Sequence, residues 1–253
     1  MNVSEAIAYR RSVRGFLDTP VDVALVEAII GRSARAATGG NLQPWHIDLV
    51  HGRSMDRLKA LMRERMAQGP SDETPEYDIY PRELPSPYKE RRYEVGEMLY
   101  GAIGIPREDK IGRMTWFARN FQFFGAPVGL FLTLDRRMGP PQWGDAGMML
   151  QNIMLLLCEA GLDSCPQECW GDLPADDPQF SWHTRQPYSV DRHGDRVQGR
   201  QRSCQCADAQ PRGQQRMALL TWVIDLARAL RHWPAFLNQA RPVQTSGDRW
   251  PSG

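Results

Sequence analysis

The stretch QWGDAGMMLQNIMLLLCEAGL, residues 142–162, carries the strongest helical pattern in this 253-residue chain. Its apolar side chains recur at intervals of three and four residues, which places them on one face of a helix. Gly161 follows the last residue of that face and suits the left-handed position at which helices commonly end. We therefore predict a long, buried helix whose core-facing residues are Met149, Ile153, Leu156, Leu157 and Ala160.

The segments before this helix alternate between strand-like and helix-like patterns. FFGAPVGLFLTLD, residues 123–135, is a continuous apolar run of the kind found in buried strands. WHIDLV, residues 45–50, alternates apolar and polar side chains and predicts a second strand. Helical spacing is found at residues 4–9, 20–36 and 54–66. Up to Trp170 the sequence therefore predicts a mixed α and β fold without internal repeats.

The composition excludes several classes of protein. Hydrophobic residues make up 42% and charged residues 24%, which is the balance of a globular domain. A formal net charge of +1 gives no overall attraction to nucleic acid or to an anionic membrane. No run of about eighteen apolar residues predicts a transmembrane span. The opening MNVSEAIAYRR lacks the apolar run of a secretory signal, so we expect a cytoplasmic protein.

The sequence contains none of the usual signatures of metal sites or hydrolases. Five cysteines include a C-x3-C at Cys165 and Cys169 and a C-x-C at Cys204 and Cys206. Neither spacing is typical of zinc or thioredoxin-like sites, so reduced, non-ligating thiols are expected. H-E-x-x-H and G-x-S-x-G are both missing, and His46 is interpreted as structural.

Three short motifs remain that could bind a ligand. YRRSVRGF, residues 9–16, places three arginines around Ser12, which suits a phosphate but also describes a solvated basic helix end. ATGGNLQPW, residues 37–45, offers two amides that could meet a flat heterocycle, or it is a plain glycine-rich connection. GLDSCPQECW, residues 161–170, is interpreted as a turn whose backbone could cover a ring system, or as an ordinary helix-to-strand turn.

In this order and spacing, the three motifs resemble the nitroreductase family of FMN-dependent flavoenzymes. The resemblance covers residues 1–170 and extends to the apolar strand and the long helix. It implies an α+β, three-layer fold in which a central, mostly antiparallel sheet is flanked by helices. It also implies a homodimer with FMN at the interface. Because the cofactor carries the chemistry, no catalytic protein side chain is expected.

The resemblance also assigns roles to individual residues. The phosphate and the polar edge of the flavin would be held by Arg10, Arg11, Ser12 and Arg14. The flavin of the other subunit would be approached by Thr38, Gly39, Asn41 and Gln43. The isoalloxazine would be lined near its reactive nitrogen by Pro166, Gln167 and Glu168. Arg119 and Gln122 are further candidates for the pyrimidine edge.

Residues 68–110 form a long insertion rich in tyrosine, proline and charge. We interpret it as a lid or a partner-contacting arm. It is similar to the subgroup that includes 4-nitrobenzoate reductases. An aromatic substrate would then be touched by Tyr77, Tyr80, Tyr88 or Arg91, unless the arm is merely structural.

Residues 171–253 depart from the family pattern. They are rich in arginine and glutamine, and only MALLTWVIDLARAL, residues 217–230, has the pattern of an amphipathic helix. When the codons permitted for Asp195 to Ala207 are read one nucleotide later, they allow IGYKDDNAPVNAL, a segment like the one the family carries there. We hypothesise that the tail is off-frame from a point between Trp170 and Asp195. The chain as printed would then lack the last core strand and have a largely disordered tail.

The expected activity is reduction of nitroaromatic or quinone-like substrates by NADH or NADPH through bound FMN, with ping-pong kinetics. Two alternatives stay open. One is a degenerate relative that binds flavin without turnover. The other is a domain that binds a different phosphate ligand through the arginine cluster alone.

Overall fold

The computed structural model of the chain describes residues 1–69, 78–172 and 216–225. In chain order the main elements are α1 (Val3–Tyr9), α2 (Val23–Ser33), β1 (Trp45–His51), α3 (Gly52–Ala67), α4 (Tyr88–Ala102), α5 (Lys110–Ala118), β2 (Val128–Asp135), α6 (Pro140–Glu159), β3 (Asp163–Gln167) and β4 (Arg216–Asp225). Short 3₁₀ helices cover Gly39–Asn41, Arg119–Gly125 and Cys169–Asp172. None of the described helices combines the length and the apolar character needed to cross a bilayer.

The four described strands form one antiparallel sheet in the order β1-β2-β4-β3. β2 is buried along nearly its whole length, as its apolar run predicts. Because successive strand residues face opposite sides of a sheet, Leu130 and Leu132 belong to one core cluster and Phe131 to another. The sheet therefore has a hydrophobic core on each of its faces.

The first core lies between the sheet and the helices α2 and α6. The predicted face of α6 is found there, with Met149, Ile153 and Leu157 fully buried. α6 begins with a proline in its first turn, where the missing N–H costs nothing, and Gly161 follows its end with φ of 76°. The second core is formed with α3, with the segment Arg119–Gly125 and with Trp170.

Two predictions of local structure are wrong. The residues interpreted as a turn after the long helix form strand β3, and the turn is confined to the region of Gly161. Proline is tolerated there because β3 lies at the edge of the sheet, where Pro166 need not donate to a neighbouring strand.

The amphipathic helix predicted over residues 217–230 is also wrong, because Arg216–Asp225 is strand β4. β4 pairs with β2 on one side and β3 on the other, so the last core strand that we expected to be missing is present. A short apolar run does not by itself distinguish a buried strand from a helix, and here pairing with two neighbours decides. The expected disorder of residues 173–215 and 226–253 lies outside the described residues.

Candidate functional site

The arginine-rich segment after α1 lies against the open edge of β3. Ser12 forms an isolated parallel bridge with Ser164, and the Val13 N–H donates to the Ser164 carbonyl oxygen at 3.1 Å. The capping box of α1, in which Asn2 and Glu5 bond reciprocally, fixes the start of the helix that leads into this segment. Two of the three sequence motifs are thus brought together on one edge of the sheet.

The three arginines of this segment contact neutral atoms of the protein. Arg10 Nη1 lies 3.8 Å from Met154 Sδ on α6, and Arg14 Nη1 donates to the Ser12 carbonyl at 3.4 Å. Arg11 is exposed and donates through Nε to the Tyr9 carbonyl at 3.3 Å. Since none of these acceptors is a carboxylate, these contacts leave the guanidinium charges available to an anion.

Next to the bridge is a buried hydroxyl that the described protein does not satisfy. Ser164 is 2% exposed, and its Oγ has no hydrogen-bond partner among the described residues. Buried polar groups are nearly always paired, so an orphaned one beside a cluster of guanidinium groups suits a polar ligand. This observation and the neighbouring arginines fit a phosphate-bearing cofactor.

Burial makes Cys165 and Cys158 poor nucleophiles. It raises the pKa of Cys165 to about 11, against the opposing effect of Arg14 and Arg10. It also raises the pKa of Cys158, which is further raised by the charge of Asp163. In the part of the chain that the structure describes, no group of three or more His, Cys, Asp or Glu side chains is suited to a metal ion.

Gln167, at the end of β3, uses its side chain within the protein. Its Nε2 donates to both the carbonyl and the Oδ1 of Asn120, each at 3.0 Å, and its Oε1 accepts from Trp170 Nε1 at 3.2 Å. These partners were not identified from the sequence, because Asn120 is 47 residues away and no pattern links the two.

Arg119 and Gln122 lie on the 3₁₀ segment before β2, but they face different neighbours. The Arg119 guanidinium lies 4.3 Å from the centre of the Trp116 ring and 6.0 Å from that of Phe124, which holds it by cation–π contact. Gln122 is directed to α3: its Oε1 accepts from Arg63 at 2.8 Å and its Nε2 donates to the Lys59 carbonyl at 3.1 Å.

The same segment ends in three residues with left-handed backbone conformation. Phe123 and Phe124 have φ of 54° and 51°, and Gly125 has φ of 96°. Two buried non-glycine residues in this region cost on the order of 1–3 kcal/mol each, and such strain concentrates at functional sites. The rings of both phenylalanines are fully or almost fully buried and hold the strained conformation in place.

The loop predicted from ATGGNLQPW projects from the protein and is also strained. Gly40, Asn41 and Gln43 have φ of 58°, 57° and 48°. The loop bonds to itself, since Gln43 Nε2 donates to Asn41 Oδ1 at 3.1 Å and the Gln43 N–H donates to Thr38 Oγ1 at 3.2 Å. Asparagine adopts this conformation readily in turns, whereas it is uncommon for a glutamine such as Gln43.

This loop does not join the other two motifs within one chain. The Gly39 N–H donates to the buried carboxylate of Asp145 at 3.2 Å, in the second turn of α6. Arg10 contacts Met154, nine residues further along that helix. At 1.5 Å per residue the two contacts are about 14 Å apart along the helix axis.

The insertion reaches the end of β3 through Tyr80. Tyr80 lies beside the Glu168 carboxylate, and the Arg92 guanidinium lies 4.1 Å from the centre of the Tyr80 ring. Burial is the main cause that raises the pKa of Tyr80, followed by the charge of Glu168. Tyr88 and Arg91 are exposed, and Tyr77 lies outside the described residues. Arg92 was not singled out from the sequence.

α4 and α5 present a large exposed apolar surface. Neither helix has a buried residue. The two helices are tied together by Arg113, which bonds to Glu97 at 2.9 Å and lies over the Tyr100 ring at 4.2 Å. Exposed apolar patches of this extent mark interaction surfaces. The exposed residues are Tyr88, Tyr93, Val95, Met98, Ile111, Met114 and Phe117.

Comparison with known proteins agrees with this arrangement. Residues 7–177 match the model of the Nitroreductase family. The chain is 38% identical over 168 residues to a nitrobenzene nitroreductase of Ectopseudomonas oleovorans, covering 66% of this chain and 74% of that protein. It is 38% identical over 164 residues to a 4-nitrobenzoate reductase of Pseudomonas putida, covering 64% and 70%. A solved structure, the FMN- and NADPH-dependent nitroreductase NfnB of Sphigopyxis sp. strain HMH, has a TM-score of 0.73 at 42% identity, covering 90% and 89%.

Proposed function

The chain belongs to the nitroreductase family, and from this premise we propose that it is an FMN-dependent NAD(P)H nitroreductase. The observation that carries the proposal is the hydrogen bond from Val13 to Ser164, because it joins the arginine segment to the strand that contains Pro166. The similar structure is described as FMN- and NADPH-dependent, and the similar curated proteins as reductases of nitrobenzene and 4-nitrobenzoate.

FMN, when bound, would supply the redox chemistry that couples oxidation of NAD(P)H to reduction of the acceptor, and the protein's residues would bind and orient the reactants. Arg10, Arg11, Ser12 and Arg14 would hold the phosphate and the polar edge of the cofactor. Pro166 and Glu168 would line the ring, with Arg119 at its pyrimidine edge. Gln122 receives no role at the cofactor, because its amide is engaged with α3.

We further propose a homodimer in which a second copy completes the site. The exposed apolar surface of α4 and α5 supports an interface, since a lone copy would leave it in water. The loop bearing Thr38, Gly39, Asn41 and Gln43 would then approach the cofactor of the partner. The loop and the arginine segment of one chain contact α6 at well-separated positions. This separation supports a site in which each copy contributes its loop to the cofactor of the other copy. The dimer would have the three-layer arrangement of its family.

The domain boundary near Trp170 and the origin of the tail are also proposals. The family match ends at residue 177, and we propose that residues after Trp170 become off-frame before Asp195. Resequencing of the gene tests this: an uninterrupted frame that encodes the printed residues through this region would contradict it.

The activity is tested on purified protein by its absorbance spectrum and by its turnover. A flavoenzyme shows the visible bands of FMN, loses them on anaerobic addition of NADPH or NADH, and regains them when nitrobenzene or 4-nitrobenzoate is added. With one shared site for donor and acceptor, double-reciprocal plots of the initial rate against NAD(P)H concentration, measured at several acceptor concentrations, are parallel lines. A quinone acceptor measured beside the nitroarenes defines the range of substrates.

The outcomes separate this proposal from the two alternatives. Visible flavin bands that NAD(P)H does not bleach would indicate a flavin-binding relative without turnover. A protein that binds inorganic phosphate or other phosphate ligands but no FMN would indicate a different phosphate-ligand domain.

A further inference from the structure

The side-chain amide of Gln167 is engaged by the protein itself through both its amino group and its oxygen. Its amino group donates to Asn120 O and Oδ1, and its oxygen accepts from Trp170 Nε1. Gln167 is 3% exposed, so its side chain is also closed to solvent. A flavin would have to break these bonds to reach the amide.

Both partners of Gln167 are anchored in turn. Trp170 is packed among aromatic rings, with centroid distances of 5.3 Å to Phe121 and 5.1 Å each to Phe123 and Phe131. Asn120 Nδ2 donates to the Phe117 carbonyl at 2.7 Å, at the end of α5. The Gln167 network, which we define as Asn120, Gln167 and Trp170, therefore connects β3 rigidly to the rest of the second core.

The main-chain N–H and C=O groups of β3 that do not face β4 are directed toward the edge on which the arginine segment lies. Val13 bonds to Ser164, so the main-chain groups of Ser164 face outward. By the two-residue period of a strand, those of Pro166 face outward as well, whereas those of Gln167 face β4. Pro166 has no N–H, and the next outward donor in this register is the N–H of Glu168.

The side chain of Glu168 is exposed and lies beside Tyr80 of the insertion. The surface left for a flat ligand along the edge is therefore the proline ring and one main-chain N–H. It does not offer the Gln167 amide, which is engaged inside the protein.

We propose that Gln167 is a positioning residue: through Asn120 and Trp170 it fixes the main chain of Pro166–Glu168 against the flavin, and its amide does not bind the flavin. This inference rests on the proposed function. It changes the role that the family resemblance gave to Gln167, and it assigns roles to Asn120 and Trp170. A loss of the network lets the end of β3 move, so FMN binds to a less ordered surface.

A double-mutant cycle in FMN affinity tests the proposal. Apoprotein is titrated with FMN, and Kd is obtained from quenching of flavin fluorescence for the wild type, Gln167→Met, Asn120→Ala and the double variant. Gln167→Met keeps the volume of the side chain and removes its hydrogen bonds. Gln68→Met, at an exposed amide beyond the end of α3, is the matched control.

A positioning residue and a direct ligand give different cycles. We expect each single variant to raise Kd about fivefold, and the double variant to raise it no further, because either change alone already disconnects β3 from Asn120. Asn120→Asp retains both acceptors for Gln167 but replaces the Nδ2 donor to the Phe117 carbonyl with an oxygen, so it should weaken FMN binding as Asn120→Ala does. Trp170→Phe removes the N–H together with part of a buried ring, so it should raise Kd at least as much as Gln167→Met.

Several results would overturn the inference. A double variant with about 25-fold weaker binding, the product of the single effects, would mean that Gln167 acts independently of Asn120. A lowered melting temperature with unchanged FMN Kd in all variants would mean a purely structural network. If the wild type bound no FMN at all, the proposed function itself would fail, and this inference with it.

Discussion

Replacing Gly129 by alanine is expected to destabilise the protein by a collision that the structure defines. A β-carbon at Gly129 would lie 2.5 Å from Phe123 Cε1, 2.9 Å from Cδ1 and 3.2 Å from Met55 Cε. Carbon atoms pack at about 3.5–4.0 Å, so the ring would have to move by about 1 Å. Phe123 is fully buried in a left-handed conformation and packs against Trp170, which leaves it little freedom.

The magnitude follows from the cost of overpacking a dense core. Such substitutions cost about 1–3 kcal/mol. For a domain of this size each kcal/mol lowers the melting temperature by about 2–4 °C, so Gly129→Ala should lower it by roughly 2–12 °C. Gly31→Ala is the control, because Gly31 lies in α2 with no atom within 4 Å of an added β-carbon. It should stabilise the helix by about 0.5–1 kcal/mol.

The assay is thermal unfolding of both variants and the wild type, followed by circular dichroism at equal protein concentration. Phe123→Leu in the Gly129→Ala background should recover part of the loss, since the two positions are in contact. A Gly129→Ala variant that melts with the wild type, or above it like Gly31→Ala, would refute the packing described for the strained segment before β2.

Three further predictions concern the loop, an ion pair and a thiol. Asp145→Ala removes the acceptor of the Gly39 N–H, so amide hydrogen exchange in residues 37–44 should accelerate; unchanged exchange would contradict the anchoring of the loop. Arg137 holds the pKa of Asp135 well below its ordinary value of about 3.9, so the pair stabilises above that pH and its effect fades below it. The melting deficit of Asp135→Asn should therefore be largest near pH 7 and shrink toward pH 3, and a deficit independent of pH would count against the pair. Because burial raises the pKa of Cys165 to about 11, peptide mapping after iodoacetamide at pH 8 should find it unmodified in native protein, in contrast to a free thiol.

The long-range framework of the fold was predictable where periodicity was strong. The predicted face of α6 repeats over about three turns, and its residues Met149, Ile153 and Leu157 are buried as predicted. The uninterrupted apolar run of β2 likewise predicted a buried strand. In both elements the spacing of the apolar residues along the sequence reflects which faces of the element are buried.

The errors fall where pairing, and not periodicity, determines the structure. The segment around Pro166, which directly follows the long helix, is predicted as a turn from its sequence, yet it forms the edge strand β3. Residues 217–230 were interpreted as a helix, but Arg216–Asp225 has partners on both sides. Neither neighbour can be read from the local sequence.

The site was predictable as a set of motifs, but its internal contacts were not. The meeting of Ser12 with Ser164 is consistent with the family resemblance, which grouped the two motifs. The bonds of Gln167 to Asn120 and of Gly39 to Asp145 link residues that are far apart in the sequence. The sequence does not show whether an amide side chain binds a ligand or a neighbouring residue. Only the fold shows that the Gln167 and Gln122 amides bind within the protein.

The central claim, that this chain is a flavin-dependent reductase, is tested most directly by one spectrum. The purified protein, reconstituted with FMN and freed of excess cofactor, is followed under anaerobic conditions as NADPH is added and then 4-nitrobenzoate. We predict bound flavin bands that disappear with NADPH and return with the nitroarene. A protein that retains no flavin after reconstitution, or flavin bands that neither NADPH nor NADH can bleach, would contradict the claim.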